Sequence, residues 1–600
     1  MEIDRQTLEA DIVCVGFGPA SGGFLTALSR ANLESPTMPG MPLQVICYER
    51  ADDIGFGVSG VVTRARGIRA SFPDLDLNEI PMAVPVRQEK VVYLLDPVGA
   101  SRRSPLLRAA DMALGGLHMA GRGAFELPYV PPFLHKQGGV VLSIGQFNQW
   151  VGNQLMATGA AQVWPGTPVA EALIEDDRVT GVRLLDQGTD RAGRPEAGFM
   201  PGMDVKAPLT VVADGPVGAV GRQLDARFGL PAGNHHREWA VGMKMVLDLA
   251  DGVDLEPGFV LHTFGYPEPE IFGFLYVHPE RVASVGIFVP SWFRNPARTS
   301  YRYLQHYIQH PYLWQWLKGA RMRSWGAKSL QESGRRGEPF LAGNGYARIG
   351  EGSGSTNVLT GSGVDEAWTT GAMLARAVIE LVQAGEPFTR ENLERTYVAR
   401  RRASWVESEG RIAEKARDGF NRGVVTGMMG MALAGFTKGR FSLAGESRLM
   451  PTVEEFYRGR IPADEVAALR SACFAKGVAS HAALMERAGW PPVPYDGQLL
   501  ISLQDALLMG GKVQASPGYA DHLSFVYPDF CESCNSKICI EICSAQAITP
   551  GEKGVPAFDR EKCIHCGACM WNCTESLDED PTHTNVAFRA GSGGLHSAEN

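Results

Sequence analysis

The chain has 600 residues, with 57 basic and 66 acidic side chains and a formal charge of −9. That balance leaves no overall basic footprint for nucleic acid, and a 44% apolar share with a mean hydropathy of −0.09 excludes a disordered chain or a polytopic membrane protein. The length suffices for two or three domains around sizeable cores.

Residues 1–6 carry no basic run followed by an apolar stretch, so no cleaved targeting segment is expected. Residues 11–15 read as a buried strand. Gly16-Phe17-Gly18-Pro19-Ala20-Ser21 reads as a glycine turn opening a helix, and residues 43–48 as a second strand ending in Glu49-Arg50. In such a βαβ unit the glycines let the backbone approach a pyrophosphate. The helix start stabilises the phosphate charge, and the acid after the second strand accepts from a ribose. Gly16, Gly18, Ser21, Glu49 and Arg50 are the candidate contacts, with Ser21 standing where a third glycine is usual. Residues 102–132 hold a short apolar run at 112–117 behind Arg102, Arg103 and Arg108.

Further along, residues 210–216 form an apolar strand ending in Asp214-Gly215. Residues 347–354 end a strand in Gly350-Glu351, and residues 361–367 lead through Gly363 into a helical run to 382. Each alone reads equally as a surface turn, but in this order they point to FAD held by discontinuous loops, with a helix start near the reduced ring. Strand-like pieces at 271–277 and 282–289 suit a sheet closing over the flavin, with Gly273 in a loop-like break. The aromatic run 301–316 is amphipathic, with histidines expected to be packed or exposed rather than metal-binding. Residues 423–437 are free of charge between Arg422 and Lys438, too short to span a bilayer, and fit either a core helix or one entering a single leaflet.

Eight of the 11 cysteines fall between positions 531 and 573, while Cys14, Cys47 and Cys473 are scattered. Clustering of this kind signals metal in a reducing compartment rather than a disulfide scaffold. Cys563, Cys566, Cys569 and Cys573 have the C-x2-C-x2-C-x3-C spacing of a cubane-binding loop, and Cys531, Cys534, Cys539 and Cys543 form a longer partner run. In two-cluster ferredoxins the fourth cysteine of each run crosses to the other cluster. That rule assigns Cys543, Cys563, Cys566 and Cys569 to one 4Fe-4S cluster and Cys531, Cys534, Cys539 and Cys573 to a second. Zinc on two C-x2-C pairs is the rival reading and leaves four cysteines unused.

The Gly16 region, residues 45–49, 142–164, 356–371, Cys563-Ile564-His565-Cys566 and the close at 584–594 resemble the electron transfer flavoprotein:ubiquinone oxidoreductase family (electron-transferring-flavoprotein dehydrogenase) over nearly the whole chain. The resemblance implies a membrane-surface enzyme carrying FAD and one 4Fe-4S cluster, on Cys543, Cys563, Cys566 and Cys569. Such an enzyme accepts single electrons from electron transfer flavoprotein and reduces quinone. It also implies Gly273 as a quinone contact. The four extra cysteines depart from the family and leave a ferredoxin-like donor open.

The expected fold is mixed α/β and α+β. Residues 1–500 form a Rossmann-like FAD-binding domain with an interleaved sheet-rich quinone domain (about 90–140 and 235–330, with the helix 423–437), and residues 501–600 a ferredoxin-like iron-sulfur domain. The expected location is peripheral, on the cytoplasmic face of a bacterial inner membrane. The alternatives are a soluble ferredoxin-coupled FAD reductase of an isoprenoid or other alkene, which the Asp214-Gly215 strand end resembles, and a non-catalytic redox sensor.

Overall fold

The computed structural model describes residues 3–34, 43–55, 60–116, 121–159, 161–446, 448, 450–511, 517–573 and 584–591. Leu117 and the chain close from Ser592 onward lie outside them.

Strand Ile12–Val15 is buried at every position and lies within a six-stranded sheet that is parallel apart from the edge strand Ala342–Gly343. Val45–Tyr48 and then Gln162–Trp164 follow on one side, Leu209–Val212 and Tyr346–Arg348 on the other. Strands buried on both faces read as continuous apolar runs, which is why these segments lack alternation. Helix Pro19–Glu34 packs on this sheet and against helix Val364–Ala384. The two axes come so close that a Cβ on Gly23 would lie 2.2 Å from the Trp368 carbonyl, and one on Gly371 2.0 Å from that of Ala20. These glycines permit the close approach of the two helices.

A second sheet of seven strands runs in the order Arg321–Gln331, Trp239–Asp248, Val282–Pro290, Phe272–Val277, Phe259–Phe264, Gln88–Leu94 and Ala124–Glu126. One face, carrying Val241, Met243, Val285 and Leu275, is sealed by helices Ser300–Ile308 and Pro311–Leu317. The other faces the parallel sheet. The aromatic run is thus two helices rather than one, and its His306 and His310 are buried. Gly273 is not in a loop: it pairs with Thr263 and Ile287 inside a continuous strand. A glycine amid aromatics reads as a break, yet here its missing side chain makes room for Tyr307, whose ring a Cβ at Gly273 would meet at 2.4 Å.

The cysteine-rich tail is welded to this sheet. Ile538, Ile542 and Ile564 join its core, the Ser329 amide donates to the Cys566 carbonyl at 2.8 Å, and Trp571 stacks on Trp239. The buried Glu541 carboxylate accepts from the Ser480 and His481 amides at 3.0 Å, which ties the tail to the helices of residues 453–487.

Helix Val424–Phe436 buries Gly427, Gly430, Met431 and Ala434 but leaves Met429 at 55% and Phe436 at 57% exposure. Helix Pro105–Gly116 buries nothing and exposes Leu106 and Met112. No helix among the described residues is long and apolar enough to cross a membrane.

Candidate functional site

A cavity of about 580 Å³ lies between the two sheets, a volume suited to a cofactor or large ligand. Gly16, Gly18, Glu49, Arg50, Asp214, Gly215, Gly350, Glu351 and Gly363 all line it. Two proposed contacts do not. Ser21 is fully buried under the turn, where its hydroxyl donates to the Gly16 carbonyl at 2.6 Å. Gly273 points through the sheet to Tyr307, while its neighbours Phe272 and Phe274 face the cavity. Strand alternation decides this: residues 272, 274 and 276 share one face and 273 the other.

The dinucleotide end is built from backbone. Gly16 has φ +89, and a Cβ there would lie 2.8 Å from the Ala213 carbonyl, so only glycine fits. A Cβ on Gly18 would meet nothing within 4 Å: the space over it is clear, as a pyrophosphate on the helix start requires. Glu49 accepts from the Phe17 amide at 2.7 Å and the Ala51 amide at 2.9 Å. It therefore clamps the turn while keeping lone pairs for a ribose. Asp214 accepts from the Gly221 amide at 3.0 Å, which orders the start of helix Ala219–Phe228, and burial raises its carboxyl above the usual range. Gly350, with φ +73, donates its amide to the Thr370 hydroxyl at 2.9 Å. Gly363 caps helix Val364–Ala384, whose first turn carries buried Asp365 and Glu366. Burial raises both carboxyls, Glu366 to about 7, and Asp365 accepts from the Arg66 and Gly67 amides at 2.8 and 2.7 Å.

The far end of the cavity is aromatic and cationic. Phe272, Phe274, Tyr276 and Phe288 supply the rings, Lys244 and Lys328 the charges. Burial lowers the Lys244 ammonium to about 8 and raises the Glu351 carboxyl to about 7. The sequence reading missed both lysines. The available signal was two apolar strands, each broken by Gly-x-Lys: Gly242-Met243-Lys244 and Gly326-Ala327-Lys328.

Ile564 and His565 of the cysteine-rich loop close one wall. The thiols behind them fall into two neighbourhoods. Cys563, Cys566 and Cys569 each have Cys543 among the thiols that raise them, after burial itself. Cys539 is raised by burial and then most by Cys573, Cys534 and Cys531, with a smaller contribution from Cys543, so the two neighbourhoods adjoin. Thiols forced upward in this way need the positive charge of iron to stay deprotonated. Donors already point at the sulfurs. The Ala547 amide donates to Cys543 Sγ at 3.1 Å and Asn585 Nδ2 to Cys531 Sγ at 3.1 Å, while His522 Nε2 lies 3.2 Å from Cys563 Sγ. Hydrogen bonds to cluster sulfurs of this kind set reduction potentials. Among the described residues, no three His, Cys, Asp or Glu side chains converge on a single-ion site. The residues present fit FAD in the cavity and iron-sulfur clusters on the thiols.

This fold and site define a flavin-dependent oxidoreductase with a 4Fe-4S unit at its C-terminus. Residues 239–330, the span from strand Trp239–Asp248 to nearly the end of Arg321–Gln331, match the "ETF-QO, ubiquinone-binding" family, and residues 555–577 match the "4Fe-4S binding domain". The chain is 28% identical to the electron transfer flavoprotein-ubiquinone oxidoreductase of Pseudomonas aeruginosa over 68% of its own length and 70% of the relative's. It is 25% identical to the mitochondrial protein of that name from Arabidopsis thaliana over 95% and 82%. A geranylgeranyl bacteriochlorophyll reductase-like structure from Thermoplasma acidophilum aligns over 68% of this chain and 91% of its own, at 16% identity and a TM-score of 0.45. The chain is thus similar to the electron transfer flavoprotein-ubiquinone oxidoreductases over most of its length.

Proposed function

We propose that the chain is a peripheral membrane enzyme that takes single electrons from electron transfer flavoprotein, or from a ferredoxin-like donor, and passes them through two 4Fe-4S clusters and FAD to quinone. The observation that carries this reading is a single cavity. Its wall joins the Gly16–Gly18 turn, His565 of the cysteine-rich loop and the aromatic face of the sheet that matches a quinone-binding family.

FAD, when bound, reconciles donors that move one electron with an acceptor that takes two. The chain's own part is placement. Gly18 leaves room for the pyrophosphate, Glu49 holds the turn, and Phe272, Phe274, Tyr276 and Phe288 line the far end with apolar surface. A neutral planar ring such as quinone suits that surface, and Phe272 and Phe274 replace Gly273 as its nearest candidates.

The exposed Met429, Leu433 and Phe436 are read as a single-leaflet anchor, with Phe133 packed edge-on against Phe436 and the basic Arg422, Lys438 and Arg440 flanking at head-group level. Leu106 and Met112 are a second such element. The cytoplasmic face of a bacterial inner membrane is the location this reading assigns.

Anaerobic stopped-flow spectroscopy tests the whole reading. Reduced electron transfer flavoprotein or ferredoxin is expected to bleach the flavin and iron-sulfur bands, and a soluble quinone to restore them. Bleaching that an isoprenoid alkene reverses and quinone does not would replace this reading with the alkene reductase.

A further inference from the structure

Strands Trp239–Asp248 and Arg321–Gln331 pair antiparallel with Gly242 opposite Lys328 and Lys244 opposite Gly326. Alternate residues share a face, so these four form a checkerboard on the side lining the cavity. Their neighbours Val241, Met243 and Trp325 are fully buried on the other side. Each lysine thus faces bare backbone, and the two ammonium groups are carried on a sheet surface flat enough for a planar ring.

The two lysines are not equivalent. Lys244 Nζ donates to the Gly60 carbonyl at 3.0 Å and lies 5.7 Å from the Phe274 ring centroid. Lys328 has no hydrogen bond or ion pair among the described residues, is exposed, and lines the cavity. The other cations there are engaged: Arg417 pairs with Glu332, and Arg50 Nη1 lies 2.5 Å from His565 Nδ1.

A cation that lines a cavity without a partner among the described residues is answered most readily by an anionic ligand. One electron added to a flavin ring without a proton leaves one negative charge, and so do two electrons with one proton. On the reading that this cavity takes FAD, we propose that Lys328, with Lys244 beside it, is the protein's contact for the negative charge that reduction places on the flavin ring. The contact is electrostatic. Lys328 keeps its proton throughout, and no bond forms or breaks. Burial lowers both lysines, Lys328 with a further contribution from Arg50, and a negative ring would reverse that trend.

The test uses the holoprotein and its Lys328→Met and Lys328→Arg variants. Bound FAD is assayed first, and the flavin is then titrated anaerobically by spectroelectrochemistry, with the clusters followed by electron paramagnetic resonance. With FAD retained, Lys328→Met is expected to weaken the one-electron-reduced flavin at least tenfold against the oxidised form, a fall of about 59 mV for a one-electron couple. Lys328→Arg should restore most of it, and the cluster potentials should stay put. Loss of FAD from Lys328→Met but not from Lys328→Arg supports the charge contact equally. An unchanged flavin potential, a shift confined to the clusters, or loss of FAD from both variants overturns the assignment. Wild-type protein that neither contains nor takes up FAD overturns instead the cofactor reading on which it rests.

Discussion

Arg50 Nη1 lies 2.5 Å from His565 Nδ1, across 515 positions of sequence. Arg50 follows the acid that clamps the dinucleotide turn, and His565 stands between Cys563 and Cys566, so this one contact joins the candidate flavin site to the candidate cluster loop. His565 also stacks on His522 at 4.0 Å between ring centroids. Reduction makes a cluster more negative, and a buried cation beside it favours that form. Arg50→Met should therefore lower the potential of the cluster on Cys543, Cys563, Cys566 and Cys569 by on the order of 50 mV while FAD stays bound. Redox titration followed by electron paramagnetic resonance reads the shift.

Gly18 lacks the positive φ of Gly16, and a Cβ there meets no protein atom. Gly18→Val should therefore fold normally and lose FAD, because its side chain enters the pyrophosphate's space. Visible absorbance and unfolding temperature on one sample check both halves.

Met429 and Leu433 are 55% and 37% exposed, so Met429→Asp with Leu433→Asp removes little from the core. Each apolar side chain buried in lipid contributes on the order of 2 kcal/mol, roughly thirtyfold in partitioning. Co-sedimentation with liposomes is expected to fall by two orders of magnitude or more at unchanged unfolding temperature. Unchanged binding would remove this helix from the membrane account.

Burial alone would raise the Glu407 carboxyl, but hydrogen bonds from Arg411, Arg335 and Arg402 outweigh it and hold the group at about 2. A carboxyl depressed from 4.5 contributes stability that is present above that value and is lost as pH falls toward 2. The contribution is about 2 kcal/mol, less than the whole shift because its arginine partners are partly solvated. Glu407→Gln should lower stability by about that amount at pH 7 and flatten the acid limb of the unfolding curve, which denaturant titrations at several pH values would show.

The dinucleotide turn was legible because Gly16, Gly18 and Glu49 lie within one βαβ unit whose geometry is local. The cysteine runs were legible for the same reason. What stayed hidden was long-range. The face on which Gly273 lies depends on its register with Thr263 and Ile287, and because Leu275 and Val277 between the aromatics are apolar too, both faces of the strand read alike. Lys244 and Lys328 become neighbours only through pairing of strands 80 positions apart, and His522 reaches Cys563 across 41. Helix Val424–Phe436 is mixed in a way that composition could not separate: a uniformly uncharged sequence conceals which of its residues the protein core takes.

Counting cofactors tests the account's central claim most directly. Flavin, iron and acid-labile sulfide are measured on one anaerobically prepared sample, with electron paramagnetic resonance of the reduced protein. Two neighbourhoods of four thiols predict one FAD, about eight irons and eight sulfides per chain, and a spectrum broadened by coupling between two paramagnets. Cys573→Ser should halve the iron and leave the cluster on Cys543, Cys563, Cys566 and Cys569. Four irons with an uncoupled spectrum in fully loaded protein, or zinc in place of iron, would contradict it.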